Sequence, residues 1–351
     1  MNDTLVMQQT LARQRQRERR RWHYLALLLG LLAITLLLDI ATGPSLLPLQ
    51  EVLGALLRPA QADPMTLTIV YDMRLPIALM ALVVGTALGL GGVQMQTLLD
   101  NPLASPYTLG LAAAAGLGAA LALVSGGFWG LTSLFAIPLG AFVFCMLAAS
   151  LLFALAVVRR VSNQTLILAG IALLFLFQSL LSLLQFLSSP ELNQQILFWL
   201  FGSLMRTTWA SLALTAAVTL ICWLLIYKDA WKLTCLRLGE ARARSLGVDV
   251  DRLRLKTLVL VALLTATAIS FVGIIGFVGL VAPHMARMLV GEDQRFLIPV
   301  SALCGAVMLS AASVLSKSIV PGALFPIGIV TALIGVPFFI WLILGRGRKG
   351  A

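Results

Sequence analysis

Few side chains in this chain of 351 residues could do chemistry. Its two histidines, His23 and His284, lie far apart, and Cys145, Cys222, Cys235 and Cys304 fall at no metal-ligand or redox spacing. There is no GxSxG, HExxH, P-loop or CxxC motif. His284 follows a proline in Val281-Ala282-Pro283-His284, where it could start a helix or touch a partner. Asp39 lies near the far end of the first apolar run, and an interfacial position and a proton-relay role are both open to it. No carboxylate falls in the middle of an apolar run. A carrier driven by protons or ions buries ionisable groups near the bilayer midplane, so ion-coupled secondary transport is disfavoured. A membrane-embedded enzyme needs a cluster of His, Asp or Glu, which is missing. No catalytic residue, metal site or cofactor is expected.

The charge is concentrated elsewhere. Lys228 to Lys256 form a charged island between long hydrophobic stretches, and such an island must lie in water. Within it, Glu240 to Leu246 are helix formers, and Gly247 can take the left-handed conformation that ends a helix. A short helix held between two membrane spans is a docking surface for a soluble partner.

The flanking elements must be membrane helices. Hydrophobic residues make up 60% of the chain and charged residues 11%, where a soluble domain carries roughly 25% charged. Several apolar runs exceed the ~18 residues that mark a spanning helix. Charge, proline and glycine divide the chain into spans near 23–41, 75–98, 109–125, 131–157, 165–187, 209–227, 297–319 and 326–344. The stretch 257–285 would make a helix of about 43 Å against a hydrocarbon core of about 30 Å. Both its flanks are basic, and Gly273, Gly276 and Gly279 mark a place to turn, so it reads as two short helices. The expected fold is all-α, a polytopic membrane protein with ten transmembrane helices and both termini cytoplasmic.

Basic residues test this topology, because cytoplasmic loops carry the excess of Lys and Arg. Six arginines at 13–21, Arg159, Arg160, eight basic residues of the island, Arg287, Arg295, Arg346, Arg348 and Lys349 fall inside, 21 of the 25. Only Arg58, Arg74, Arg206 and Lys317 fall outside. The net charge of +11 then reflects basic loops facing an anionic inner leaflet, with no need for nucleic acid. Residues 1–22 form a basic cytoplasmic tail, 23–345 the transmembrane domain with the island helices at about 236–254, and 346–351 a second basic tail. The first run lacks a small-residue cleavage site and reads as a retained anchor. Small residues are dense at Gly85, Gly89, Gly91 and Gly92, and from Ala112 to Gly118. They permit close helix packing or line a path for a bulky solute.

Five segments in order resemble the permease subunit of type II ABC importers, the FecCD-type family that takes up iron–siderophore complexes, haem and vitamin B12. They are Arg74-Leu75-Pro76, Asp100-Asn101-Pro102-Leu103-Ala104-Ser105-Pro106, Leu238-Gly239-Glu240 through Gly247, Gly276 through His284, and Pro326 through Gly335. The resemblance covers residues 24 to 345 and implies a ten-helix permease that hydrolyses nothing itself. Its implied partners are a cytosolic ATP-binding-cassette ATPase dimer, a periplasmic substrate-binding protein and a second permease subunit, in the bacterial inner membrane. It implies that Glu240, Ala241, Ala243, Arg244 and Gly247 meet the ATPase, and that Arg74 and Lys317 dock the binding protein. Asn101 and Leu103, with Asn163 and Gln164, match cytoplasmic gates. Gln178, Ser179, Ser182 and Gln185 would line the translocation path. Lys317 stands where many relatives have arginine, and Gly322 to Phe325 lack the glutamate common before that proline. An iron–siderophore or haem complex is the expected cargo, with vitamin B12 the alternative.

Overall fold

A computed structural model describes residues 2–43, 47–126, 133–158, 161–319 and 325–347. Arg159, Arg160, Gly322 to Leu324, Arg348 and Lys349, to which positions were assigned above, lie outside the described residues. Among those described, all regular structure is helical: α1 (Asn2–Ala41), α2 (Leu49–Leu57), α3 (Pro64–Thr68), α4 (Leu75–Leu98), α5 (Leu111–Val124), α6 (Ser133–Val158), α7 (Asn163–Leu187), α8 (Pro190–Leu200), α9 (Trp209–Tyr227), α10 (Ala230–Leu236), α11 (Glu240–Ser245), α12 (Val250–Val272), α13 (Val278–Val290), α14 (Gln294–Ser318) and α15 (Ile327–Gly347). Seven helices among the described residues are long and apolar enough to cross a membrane. Three more, Leu111–Val124, Val278–Val290 and Ile327–Trp341, are apolar but shorter.

The centre of the bundle is α4, α12 and α14. Between 67% and 78% of their most apolar windows is buried, against 22% to 33% for α1, α6, α7 and α9. Glycine sets the spacing at this centre. A Cβ on Gly85 would stand 2.3 Å from the Gly305 carbonyl oxygen of α14, and one on Gly92 only 1.8 Å from that of Gly279 in α13. Gly118 of α5 meets Gly140 of α6 in the same way. These positions serve close packing, which lets backbones touch where lipid supplies no hydrophobic drive. They do not line a path.

Local chemistry explains where the structure departs from the spans read in the sequence. α1 starts at Asn2 and runs unbroken through the basic segment, whose Gln, Arg and Glu residues favour helix. Upstream of α4, Asp63 caps α3 by accepting from the amides of Met65 and Thr66 at 3.0 and 3.2 Å. Ile69–Arg74 then widens into a π-turn ahead of Pro76. Proline has no N–H to give the carbonyl four residues back, so a loosened turn fits there.

The stretch 257–285 does break at its glycines, but not into two short helices. α12 reaches back to Val250 and has 23 residues, whereas α13 has 13. Asp249 accepts from the Arg252 amide at 3.1 Å and starts α12 inside the charged island, with Val250 and Leu253 already buried. Between the two helices Gly273 has φ +75° and Phe277 φ +65°. Likewise α5 begins two residues late, because Ala104 to Pro106 and Leu109 enter the bundle as buried irregular chain. Ser105 and Thr108 satisfy that backbone by mutual hydrogen bonds. Irregular chain at depth is tolerated when protein buries it.

Candidate functional site

The ion pairs divide the bundle into two ends. At the first end lie α10, α11, the start of α12, the 99–103 loop, the start of α7 and the α13–α14 connection. Arg237 reaches both Asp100 and Glu292, Arg287 pairs with Glu292 at 2.9 Å, and Arg21 of α1 pairs with Asp293 at 3.1 Å. Asp229, at the head of α10, holds Lys232 and Lys256. Burial pushes the Asp229 carboxyl up, but hydrogen bonds and charge from the two lysines outweigh it and hold it below the ordinary range. Asp293, with Arg295 and Arg21 as partners, is likewise held low against its burial.

On this end α11 stands out from the bundle. Gly239, at φ +101°, turns the chain into it. Gly247, at φ +81°, ends it. The Gly247 amide donates to the Arg244 carbonyl at 3.0 Å and the Val248 amide to the Ala243 carbonyl at 3.1 Å. That pair of bonds is the Schellman closure, which needs a left-handed residue at the position of Gly247. Glu240, Ala241, Arg244 and Gly247 are exposed, and Leu238 and Leu246 add exposed apolar surface on either side. Ala243 corrects the expectation: it is fully buried and forms the inner seat of the helix, so it cannot touch a partner. His284 too is buried, within α13, which removes it as a contact residue.

The four expected gate residues meet at the same end. Asn101 Oδ1 accepts from the Leu103 amide at 2.9 Å, forming a tight turn behind Asp100, whose φ is +47°. Leu103 is thereby thrust outward, about half exposed. Asn163, at the first turn of α7, donates from Nδ2 to the Leu98 carbonyl at 3.3 Å and so joins α7 to the end of α4. Gln164 is exposed beside it. Further along α7, Gln178, Ser179 and Ser182 lie on its exposed side and Gln185 is half-buried. Phe175, Leu183, Phe186 and Leu187 keep that side mainly apolar.

The second end overturns one expectation. Arg74 and Lys317 are not at the water-facing surface. The Lys317 side chain, 5% exposed, pairs with Asp39 at 2.6 Å, and Ser313 donates to the same carboxylate at 2.7 Å. Asp39 is fully buried and is held by Lys317 and Ser313. Arg74, which the π-turn directs inward, donates from Nη1 to the carbonyls of Ile40 and Ala41 at 3.0 and 2.7 Å. Both cations thus bind the last turn of α1, where orphan carbonyls and the negative dipole end favour positive charge. The sequence placed them near the outer water but gave no sign of these partners, which lie 33 to 278 residues away.

A bundle of apolar helices, seven of them among the described residues long enough to cross a membrane, with a basic end bearing an exposed capped helix, is the architecture of a multi-pass membrane protein. The model of the FecCD transport family matches residues 31–345. The chain belongs to that family. It is 37% identical to the hemin transport system permease protein HmuU of Yersinia pestis over 79% of this chain and 84% of HmuU. It is 34% identical to the vitamin B12 import system permease protein BtuC of Klebsiella pneumoniae, over 97% and 98% of the two chains. A solved inward-facing structure, assigned to the metal-chelate type of ABC transporter, superposes with a TM-score of 0.80 at 34% identity, covering 92% of this chain and 98% of that one. The chain is therefore the permease subunit of a type II ABC importer, a transport component and not itself an enzyme. Such a subunit works with an ATPase, a substrate-binding protein and a second permease.

Proposed function

We propose that this permease crosses the bacterial inner membrane ten times, with both termini in the cytosol, and passes an iron–siderophore or haem complex inward. The seven long helices and three shorter ones supply ten segments if each shorter helix completes its crossing with buried irregular chain. The basic end of the bundle is then cytosolic, as the distribution of Lys and Arg requires. Residues 23–345 form the permease domain, and the basic segments 1–22 and 346–351 lie on the cytosolic side.

In this reading α11 is the surface that the ATPase grips, through Glu240, Ala241, Arg244 and the loop at Gly247. The observation that carries it is the closed, exposed helix of six residues standing between two spans with Leu238 and Leu246 bare at its edges. ATP binding on the partner moves α11, and the bundle alternates its opening as a rigid assembly. Asn101, Leu103, Asn163 and Gln164 form the cytoplasmic gate. α7 and its counterpart in the second permease subunit wall the path, where Gln178, Ser179, Ser182 and Gln185 give a large ligand weak, dispersed contacts. The substrate-binding protein docks on the opposite end, whose surface Arg74 and Lys317 shape from beneath.

HmuU and BtuC, as named, carry haem and vitamin B12, and both remain cargo classes for this chain. The test is uptake into proteoliposomes holding the permease, its ATPase and ATP, with the ion gradients collapsed. Ferric siderophore, haem and cobalamin are offered in turn on the binding protein. Import that persists without a gradient and stops without ATP is expected. Import that ends with the gradient while ATP remains high would overturn the reading in favour of a secondary carrier.

A further inference from the structure

Arg254 links the docking helix to the gate. It lies one turn into α12, with its side chain 14% exposed, and reaches two elements at once. One is the carboxylate of Glu240, the first residue of α11. The other is Oδ1 of Asn163, the first residue of α7, which accepts from Nη2 at 3.2 Å. Asn163 passes the connection on, its own Nδ2 donating to the Leu98 carbonyl at the end of α4. A continuous run of polar contacts thus joins α11 to the start of α7, which carries Asn163 and Gln164, and to the end of α4, from which the loop of Asn101 and Leu103 leaves.

We propose that Arg254 is a positioning residue that transmits displacement of α11 to the first turn of α7 and the 98–103 turn. The proposal rests on the reading of α11 as the ATPase-docking helix. Three features suit the guanidinium to this work. It is planar and always charged, so it holds two acceptors in fixed relative geometry, which a lysine ammonium does not. It is largely shielded from water, so the contact to Glu240 is screened less than the exposed pair Arg252–Asp249 nearby. And its two acceptors stand at helix starts, Glu240 heading the six-residue α11 and Asn163 the 25-residue α7, so a shift at Glu240 is passed on to a long rigid helix. A gate coupled only through its own backbone would leave this side chain without a task.

The experiment uses the assembled transporter of permease, ATPase and binding protein in proteoliposomes, loaded with the cargo that the uptake assay selects. Arg254→Gln is expected to leave ATP hydrolysis by the complex near wild type while substrate imported per ATP falls about fivefold or more, the lower range of typical coupling between sites. Arg254→Lys should restore part of the ratio, and Arg252→Gln, which removes a neighbouring charge without either link, should leave it unchanged. Asn163→Ala lowers the ratio by the same route, so the double variant Arg254→Gln, Asn163→Ala should be no worse than the stronger single one. A merely structural arginine would lower the yield of assembled complex and would not move the ratio. Cysteine at Ala241, crosslinked to the ATPase, separates the two levels of the argument. If crosslinks form and Arg254→Gln imports as much per ATP as wild type, the relay is overturned and the docking reading stands. If position 241 does not crosslink at all, the docking reading falls and the relay falls with it.

Discussion

Lys317→Met removes one member of an ion pair whose charged atoms stand 2.6 Å apart, with side chains 5% and 0% exposed. At that separation and an effective dielectric of about 20, the attraction is about 6 kcal/mol. Desolvation of both ions cancels much of this in the wild type. The variant is different, because Asp39 then keeps its burial and loses its counter-charge. The ceiling on the loss is the cost at pH 7 of protonating a carboxyl of ordinary pKa near 3.9, about 4 kcal/mol. That agrees with the roughly 3–5 kcal/mol observed when one member of a buried pair is removed. Adding Asp39→Asn takes away the stranded charge and keeps a partner for Ser313, so the double variant should recover more than half of the loss. The assay is thermal unfolding of the purified permease in lipid discs at pH 7. Binding-protein affinity is measured on the same samples across a salt series, and the neutral double variant should bind as wild type at every salt concentration. A Lys317→Met protein as stable as wild type would refute the clamp at the end of α1. A double variant as weak as the single one would show that lost lysine packing, not a stranded carboxylate, sets the cost.

A Cβ added at Gly247 meets no atom within 4 Å, so the cost of Gly247→Val is set by the left-handed backbone, about 1–2 kcal/mol; uptake should fall, Gly247→Asn should retain it, and equal uptake by all three proteins would remove the capped-helix argument. Cysteines placed at exposed Arg295 and Glu191 should react with an impermeant thiol reagent only from the cytosolic and only from the outer side, respectively; labelling of 295 from outside would invert α14. Asp229 and Asp293 both titrate below the ordinary carboxylate range in the folded state. The stability they contribute is present above the unfolded pKa of about 3.9 and is lost as pH falls through their lower folded values. Amide exchange of α10 should therefore keep constant protection from pH 8 to pH 5, and protection that drops within that window would disprove the assignment.

The spans were legible because lipid imposes one simple rule on composition. Leu75–Leu98 and Trp209–Tyr227 were read with the boundaries observed, since proline or a loop polar residue marks each end. Gly247 was legible as a cap because few residues tolerate its backbone. The start of α12 at Val250 falls inside the charged island, where the lack of a continuous apolar run hides the beginning of a membrane helix. Asp249 carried the missed signal, an N-cap followed by apolar Val250 and Leu253 one helical turn apart. Arg254 was counted only as one more positive charge, and its role depends on Glu240 and Asn163, which are 14 and 91 residues away. The inward turn of Arg74 was hidden for a related reason. A π-turn changes which face a side chain occupies, and periodicity assumes that the helix is regular.

The bare side of α7 has a consequence for how the protein is made. Only 22% of its most apolar window is buried, and Phe186 remains 85% exposed. Lipid tails solvate phenylalanine well, so these apolar residues give a newly inserted subunit little reason to seek a partner. The exposed Gln178, Ser179 and Ser182 do, because hydrocarbon offers them no partner. If α7 faces the second permease subunit, as proposed, a few polar groups on an otherwise apolar helix favour that contact. A subunit that stays single leaves these groups without a partner in the hydrocarbon.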